Sequence, residues 1–339
     1  MEFACVWVYD SHRHDSHRRN SLDHVYIERT RNAHLGATIS ENILQTQGSL
    51  WQDKWLLVKE YYRLAKPGIV FGNTWTAVGG FLVAAQGRID YAALCFALSG
   101  LMLIMASACV FNNLLDRAID AKMTRTQGRP LVSGTILPRQ ALFFAIHLGL
   151  LGVLILGTCV HLLALFLACC GFCIYVFLYT YAKRRSSLGI YVGSFAGAVP
   201  PVVGYCACYP HFDIGAILLY AMLFFWQLPH FFALAVLHMR DYAAASIPVL
   251  SVSSGMRAVQ WQTLLSTVIF CLIAPLLSVF GYTGILYLTV SVVIGVGWVV
   301  LSIWGFQAKK TQSWAYAMFF YSLVAITMLS VIMGIHAKR

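Results

Sequence analysis

Asn112, Asp116 and Asp120 are spaced i, i+4 and i+8, so on an α-helix their side chains fall along one face, one turn apart. Carboxylates stacked in this way repel one another unless a cation lies between them. Two carboxylates and an amide are hard oxygen donors of the kind that hold Mg2+, an ion that keeps several waters and completes its shell with substrate phosphates. Lys122, Arg125 and Arg129 follow at once and put positive charge where a diphosphate would lie. The plain alternative is a solvated helix end whose acids pair with those cations. The position at the end of an apolar run argues against it, because ionisable groups at membrane depth are costly and by default functional.

A second constellation is WQLPHFFALAVLHMRDY, from Trp226 to Tyr242. Pro229 removes a backbone donor and is expected to kink or interrupt its helix. His230 follows at membrane depth, where it is placed to ligate a metal, bond a polar substrate group, relay a proton, or simply pack. His238, Arg240 and Asp241 then emerge into a loop, with Asp241 expected on the same side as Asp116 and Asp120. A third cluster, YTYAKRRSSLG from Tyr179 to Gly189, sets Lys183 and Arg184 within reach of a diphosphate; a basic membrane anchor would look the same.

These groups must be positioned by membrane helices. The chain is 59% hydrophobic and 11% charged, with a mean hydropathy of +0.71, far from a soluble globular composition. Apolar runs able to cross about 30 Å of hydrocarbon occur near 69–86, 92–115, 140–160, 162–182, 189–208, 214–237, 261–280, 283–305 and 314–335. Nine transmembrane helices are expected.

Charge orients them. If the residues before the first span are cytoplasmic, inside loops hold 16 of the 19 Lys and Arg beyond residue 53, including Arg185, Lys309 and Lys310. That is a positive-inside pattern. The net charge of +11 therefore describes topology and gives no argument for nucleic acid. Only six acids lie beyond residue 53: Glu60 before the first span, Asp90 and Asp213 in short outside loops, and Asp116, Asp120 and Asp241 inside.

Residues 1–53 differ in kind. They hold seven of the thirteen acids and the tract HRHDSHRR from His12 to Arg19, without a run that could cross a membrane. A flexible His-rich extension, or an upstream-shifted start, is expected. Its acids make it a poor mitochondrial presequence. Of the ten cysteines, most fall within the expected spans, among them Cys95, Cys109, Cys159, Cys169, Cys170, Cys173 and Cys271, and read as small buried hydrophobes. The CCxxC of Cys169 to Cys173 lacks a second half for a metal site. Cys206 and Cys208 are too close for an ordinary disulfide.

From about Tyr61 onwards the chain resembles the protohaem IX farnesyltransferases, or haem O synthases, of the intramembrane prenyltransferase superfamily. The resemblance is carried by KPGIVFGN from Lys66 to Asn73, CVFNNLLDRAIDAKMTRTQGRPLVSG from Cys109 to Gly134, GAVPPVVGYCA from Gly197 to Ala207, and WQLPHFFALAV followed by RDYAAASIPVL. It implies an all-α polytopic protein: nine transmembrane helices bundled around a central lipid-accessible cavity, in a membrane domain over 54–339. It implies Mg2+ as cofactor, held through Asn112, Asp116 and Asp120, with farnesyl diphosphate and protohaem IX (haem B) as substrates. Tyr179, Lys183, Arg184, His230, His238 and Asp241 are then candidate substrate-binding residues. Lys122, Arg125 and Arg129 are candidates for stabilising the leaving diphosphate. Aromatic side chains such as Tyr179, Trp226, Phe231 and Phe232 are candidates to face an allylic cation.

The family's second acidic motif is reduced here to Asp241, Asn113 stands where many superfamily members carry Asp, and Ala118 stands where haem O synthases often carry another. Because residues 1–53 make a poor presequence, a bacterial plasma membrane is expected before a mitochondrial inner membrane, with the site towards the cytoplasm; the family implies that the product passes to terminal-oxidase assembly. Two other functions fit parts of the pattern. One is prenylation of another acceptor, such as an aromatic quinone precursor, through the same three residues. The other is an ion-coupled transporter, which would need its acids near the bilayer midplane.

Overall fold

Inside hydrocarbon there is no water to satisfy peptide groups, so an apolar chain must close its hydrogen bonds within helices. The computed structural model describes residues 54–335, which are all-helical with no strand among them. Packing divides the chain into two units, Met1–Lys59 and Glu60–Arg339, and the architecture is that of the second. The extension expected over residues 1–53 lies outside the described residues.

Among the described residues, nine helices are long and apolar enough to span a membrane: α1 (Pro67–Ala85), α2 (Tyr91–Asp120), α3 (Pro138–Cys159), α4 (Leu162–Arg185), α5 (Gly189–Cys208), α6 (Ile214–Leu237), α7 (Gly255–Val279), α8 (Ile285–Trp304) and α9 (Thr311–Gly334). The protein is an integral membrane protein. Phe143, Leu150, Phe166, Leu272 and Val293 are each more than half exposed. Side chains like these would drive aggregation in water but contact lipid tails at little cost.

The starts of the helices follow from local chemistry. Asp90 accepts from the N–H of Ala93 at 3.0 Å and Asp213 from that of Ala216 at 3.1 Å, capping α2 and α6. Pro67 and Pro138 open α1 and α3, where a missing N–H costs nothing. The second span was expected to end near residue 115, but α2 continues to Asp120. Hydropathy falls there because polar residues begin, whereas the helix continues because its backbone bonds do not depend on hydropathy. The acids are thus rigid helix positions and not loop residues.

Irregularity falls elsewhere than expected. α6 runs through Pro229 without interruption; one open carbonyl is tolerated while the flanking turns hold. α4 instead carries a π-helical stretch over Ile174–Tyr179. α5 is divided at Ala198 into Gly189–Gly197 and Val199–Cys208.

Of four buried apolar clusters among the described residues, the two largest hold most of the bundle. The larger joins α6 to α7, α8 and α9 around Phe270, Trp298, Trp314, Tyr287 and Leu219. The smaller joins α1 through α5 around Ala77, Leu101, Ile104, Leu156 and Val203. With lipid as solvent, helix association depends on close packing, and α1 meets α5 almost backbone to backbone. A Cβ at Gly80 would collide with the carbonyl oxygen of Pro201, and one at Gly204 with that of Ala77. Gly204→Ala is expected to destabilise the fold by about 1–3 kcal/mol, a typical cost of overpacking. The lower unfolding midpoint should appear in circular dichroism of the detergent-solubilised protein. Gly128→Ala, whose Cβ would meet nothing within 4 Å, should leave the midpoint unchanged.

Candidate active site

The six acids beyond residue 53 separate by what they touch. Glu60 pairs with Arg63 at 2.8 Å, Asp90 and Asp213 cap helices, and Asp241 accepts from the backbone N–H of Thr124 at 3.2 Å. Asp116 and Asp120 remain. They are only 4% and 3% exposed, and both line a cavity of about 760 Å³ together with Asn112. Both lie in the last two turns of α2, away from the midplane position an ion-coupled transporter would need.

Each residue of this face meets a cation. Lys66 Nζ donates to Asn112 Oδ1 at 2.7 Å. Lys183 donates to Asp116 Oδ2, and Arg184 reaches Asp116 Oδ1 at 3.3 Å. Arg129 donates to Asp120 Oδ2 at 2.5 Å. Buried ions are retained only when paired and bonded in this manner. Asn112 is held further by donating from Nδ2 to Thr180 Oγ1 at 3.3 Å. Asn113 turns away from the cavity: it donates to the carbonyl of Leu64 at 2.8 Å and accepts from Arg129 at 3.2 Å. Its role is to clamp the entering chain to α2.

Lys66 is a functional candidate that the sequence reading missed. Its backbone is left-handed, with φ 52° and ψ 62°, uncommon for a side chain of this size. Strain of this kind costs of the order of 1–3 kcal/mol and persists where the surroundings demand it. The conformation serves to bring the ammonium onto Asn112. Burial lowers the Lys66 pKa to about 8, with Arg129 and Lys183 acting in the same sense and Cys109 and Asp116 opposing them. The available signal was a lysine directly before the proline that opens the first span.

The remaining walls are apolar and aromatic. Tyr175 and Tyr179, a turn apart across the π-helical stretch, stack at 5.4 Å, and Lys183 lies 4.9 Å from the Tyr179 ring centre. Trp226, His230, Phe231, Arg125 and Arg129 also line the cavity.

Several expected residues lie elsewhere. Lys122 is exposed in the turn after α2 and outside the cavity lining. Arg184 is outside the lining too but reaches Asp116 from its rim. Phe232 is fully buried in the larger core, because successive helix residues point in different directions. His238 and Asp241 sit beyond the end of α6, outside the lining. Burial lowers the pKa of His238, with Arg125 adding to the effect and Asp241 opposing it.

The donor set has the chemistry for one kind of ion. Among the described residues no three His, Cys, Asp or Glu gather as a metal cluster, which argues against a closed protein shell. Two carboxylates and an amide on one helix face suit Mg2+ completed by water and phosphate.

Comparison with known proteins identifies the family. The model of the UbiA prenyltransferase family matches residues 73–324. The chain belongs to the UbiA prenyltransferase family. It is 44% identical over 280 residues to the protoheme IX farnesyltransferase of Cronobacter sakazakii, covering 82% of this chain and 95% of that one. Two solved structures share the fold at low identity. One, from a study of digeranylgeranylglyceryl phosphate synthase in membranes, has a TM-score of 0.69 at 16% identity and covers 83% of this chain and 98% of its own. The other, a UbiA homolog from Archaeoglobus fulgidus bound to GPP and Mg2+, has a TM-score of 0.62 at 15% identity, covering 81% of this chain and 99% of its own.

A phosphate entering the polar end of this cavity would meet the Lys66 ammonium. Lys66→Met is expected to weaken binding of a prenyl diphosphate by about 10- to 100-fold, the range for hydrogen bonds to charged groups. Lys122→Met should leave it unchanged. Titration calorimetry of both variants against wild type measures the contrast.

Proposed function

We propose that this protein transfers the farnesyl group of farnesyl diphosphate to a vinyl group of protohaem IX, forming haem O. The observation that carries the reading is the pair Asp116 and Asp120, buried among cations at one end of an apolar cavity, in a chain spanning 95% of a relative named for this reaction. Prenyl transfer requires the C–O bond to the diphosphate to break, and the negative charge that develops must be neutralised where it forms. Asn112, Asp116 and Asp120 would hold Mg2+, which when bound supplies positive charge to the departing diphosphate.

Lys66, Arg125, Arg129 and Lys183 approach the same place from three segments; Arg129 and Lys183 would exchange carboxylate for phosphate partners, and Lys66 would exchange the Asn112 amide. Arg184 steadies Asp116 from the rim. The allylic cation left behind must be shielded from water until the vinyl carbon attacks. Trp226, Phe231, Tyr175 and Tyr179 offer aromatic faces, each worth about 0.5–2 kcal/mol to a cation. Addition of water to the resulting haem-side cation, with loss of a proton, completes the hydroxyethylfarnesyl group. Lys122, His238 and Asp241 take no direct part in this reading. Asp241 steadies the loop that carries Arg125 through its bond to Thr124.

We place the protein in a bacterial plasma membrane with this end towards the cytoplasm, where farnesyl diphosphate is made available. The positive-inside distribution of Lys and Arg supports the orientation, and the bacterial relatives support the membrane. Delivery of haem O to terminal-oxidase assembly follows from the product.

Purified protein incubated with protohaem, farnesyl diphosphate and Mg2+ is expected to yield the mass of hydroxyethylfarnesyl haem, and EDTA is expected to abolish it. Farnesol released without modified haem would overturn protohaem as acceptor and point to another, such as an aromatic quinone precursor. Asp116→Asn and Asp120→Asn should each lower turnover by about 10²–10³-fold, the scale for removing one charge-stabilising group, while the protein remains folded in the membrane.

A further inference from the structure

We infer that His230 binds the haem iron through Nε2 and that Ser322 is the positioning residue that leaves Nε2 free to do so. The inference rests on protohaem being the acceptor. His230 lies on α6 and lines the cavity. Its ring stacks on Trp226 at 5.1 Å and 19° and faces Phe319 at 5.0 Å and 30°. With two aromatic rings packed against it at small interplanar angles, the imidazole is held in plane, and what is left to settle is which nitrogen carries its proton.

Ser322 decides that point. Its Oγ lies 2.7 Å from His230 Nδ1 and also donates to the carbonyl of Phe319 at 2.5 Å. A serine hydroxyl has one hydrogen, so towards His230 it must accept, and the network assigns the proton to Nδ1. The Ser322 carbonyl is itself held by the indole N–H of Trp226 at 2.9 Å. One residue of α9 thus fixes both the ring and its neighbour. Nε2 is left with its lone pair and makes no hydrogen bond among the described residues.

A packed core histidine would be expected to satisfy both nitrogens. A neutral imidazole with Nδ1–H bonded to the protein and Nε2 bare has the form of an iron ligand with its supporting partner. No other described histidine competes: His147, His161, His211 and His238 all lie outside the cavity lining. Cys109 and Met105 do line it and are the rival ligands that spectroscopy must separate.

The experiment is haem titration of the purified full-length protein, read by absorption and electron paramagnetic resonance, without farnesyl diphosphate. Wild type is expected to give an imidazole-ligated spectrum. His230→Ala should lose that spectrum and recover it with added imidazole, a rescue that a purely structural histidine would not show. Ser322→Ala should keep the same ligand signature with haem affinity lowered about 10- to 100-fold, the range for loss of a ligand's supporting bond, and Ser322→Thr should restore it. Haem bound with an unchanged spectrum in His230→Ala, or a spectrum lost on Cys109→Ala instead, would overturn the assignment alone. Wild type that takes up farnesyl diphosphate but no haem would overturn the acceptor reading and this inference with it.

Discussion

Two carboxylates buried in an apolar bundle must be balanced charge by charge, and much of the polar end of the molecule is arranged around that requirement. Removing one partner from a buried ion pair costs about 3–5 kcal/mol, so Asp116 and Asp120 constrain every segment that supplies a cation. Arg129 comes from the loop after α2 and Lys183 and Arg184 from the end of α4, while Lys66, from before α1, meets the Asn112 amide on the same face. Charge compensation draws these segments together at one end, while the two largest apolar cores hold most of the rest. The same balance leaves the site poised for phosphate: an entering anion can take over cations already present, and the carboxylates released from them become donors for a divalent ion.

Three departures from regular backbone border the cavity. Lys66 is left-handed, α4 widens into a π-helical stretch, and α5 is divided at Ala198, and residues at or beside each departure line the cavity. Regular helices would satisfy the membrane at lower cost. The π-helical stretch occurs where Tyr175 and Tyr179 stack as cavity wall, in keeping with the tendency of such bulges to mark functional sites.

The membrane class and the nine spans were legible because hydrocarbon imposes its length and composition on any sequence that crosses it. Asn112, Asp116 and Asp120 were legible because helical periodicity puts them on one face, whatever surrounds them. The partners were harder to read. Lys122 is nearest in sequence, but the turn after Asp120 points it outward, while Lys66 and Lys183 lie 46 and 67 residues distant and reach the face through tertiary packing. His230 stood out by its depth. Its pairing with Ser322, across 92 residues, had no local signature. Phe232 shows the same limit, since adjacent aromatic residues on one helix were separated into cavity wall and core only by the neighbouring helices.

The seam between α1 and α5 sets a limit on what the cavity can admit. Where side chains meet, a pocket can widen by exchanging rotamers; where carbonyl oxygens sit against glycines, as at Gly80 and Gly204, there is nothing to rotate. The seam lies outside the lining, but both helices also contribute lining residues, so the spacing between these two walls is held fixed. Differences in prenyl length or acceptor size must be absorbed on other sides, and a residue change meant to enlarge the cavity has room to act only away from that seam.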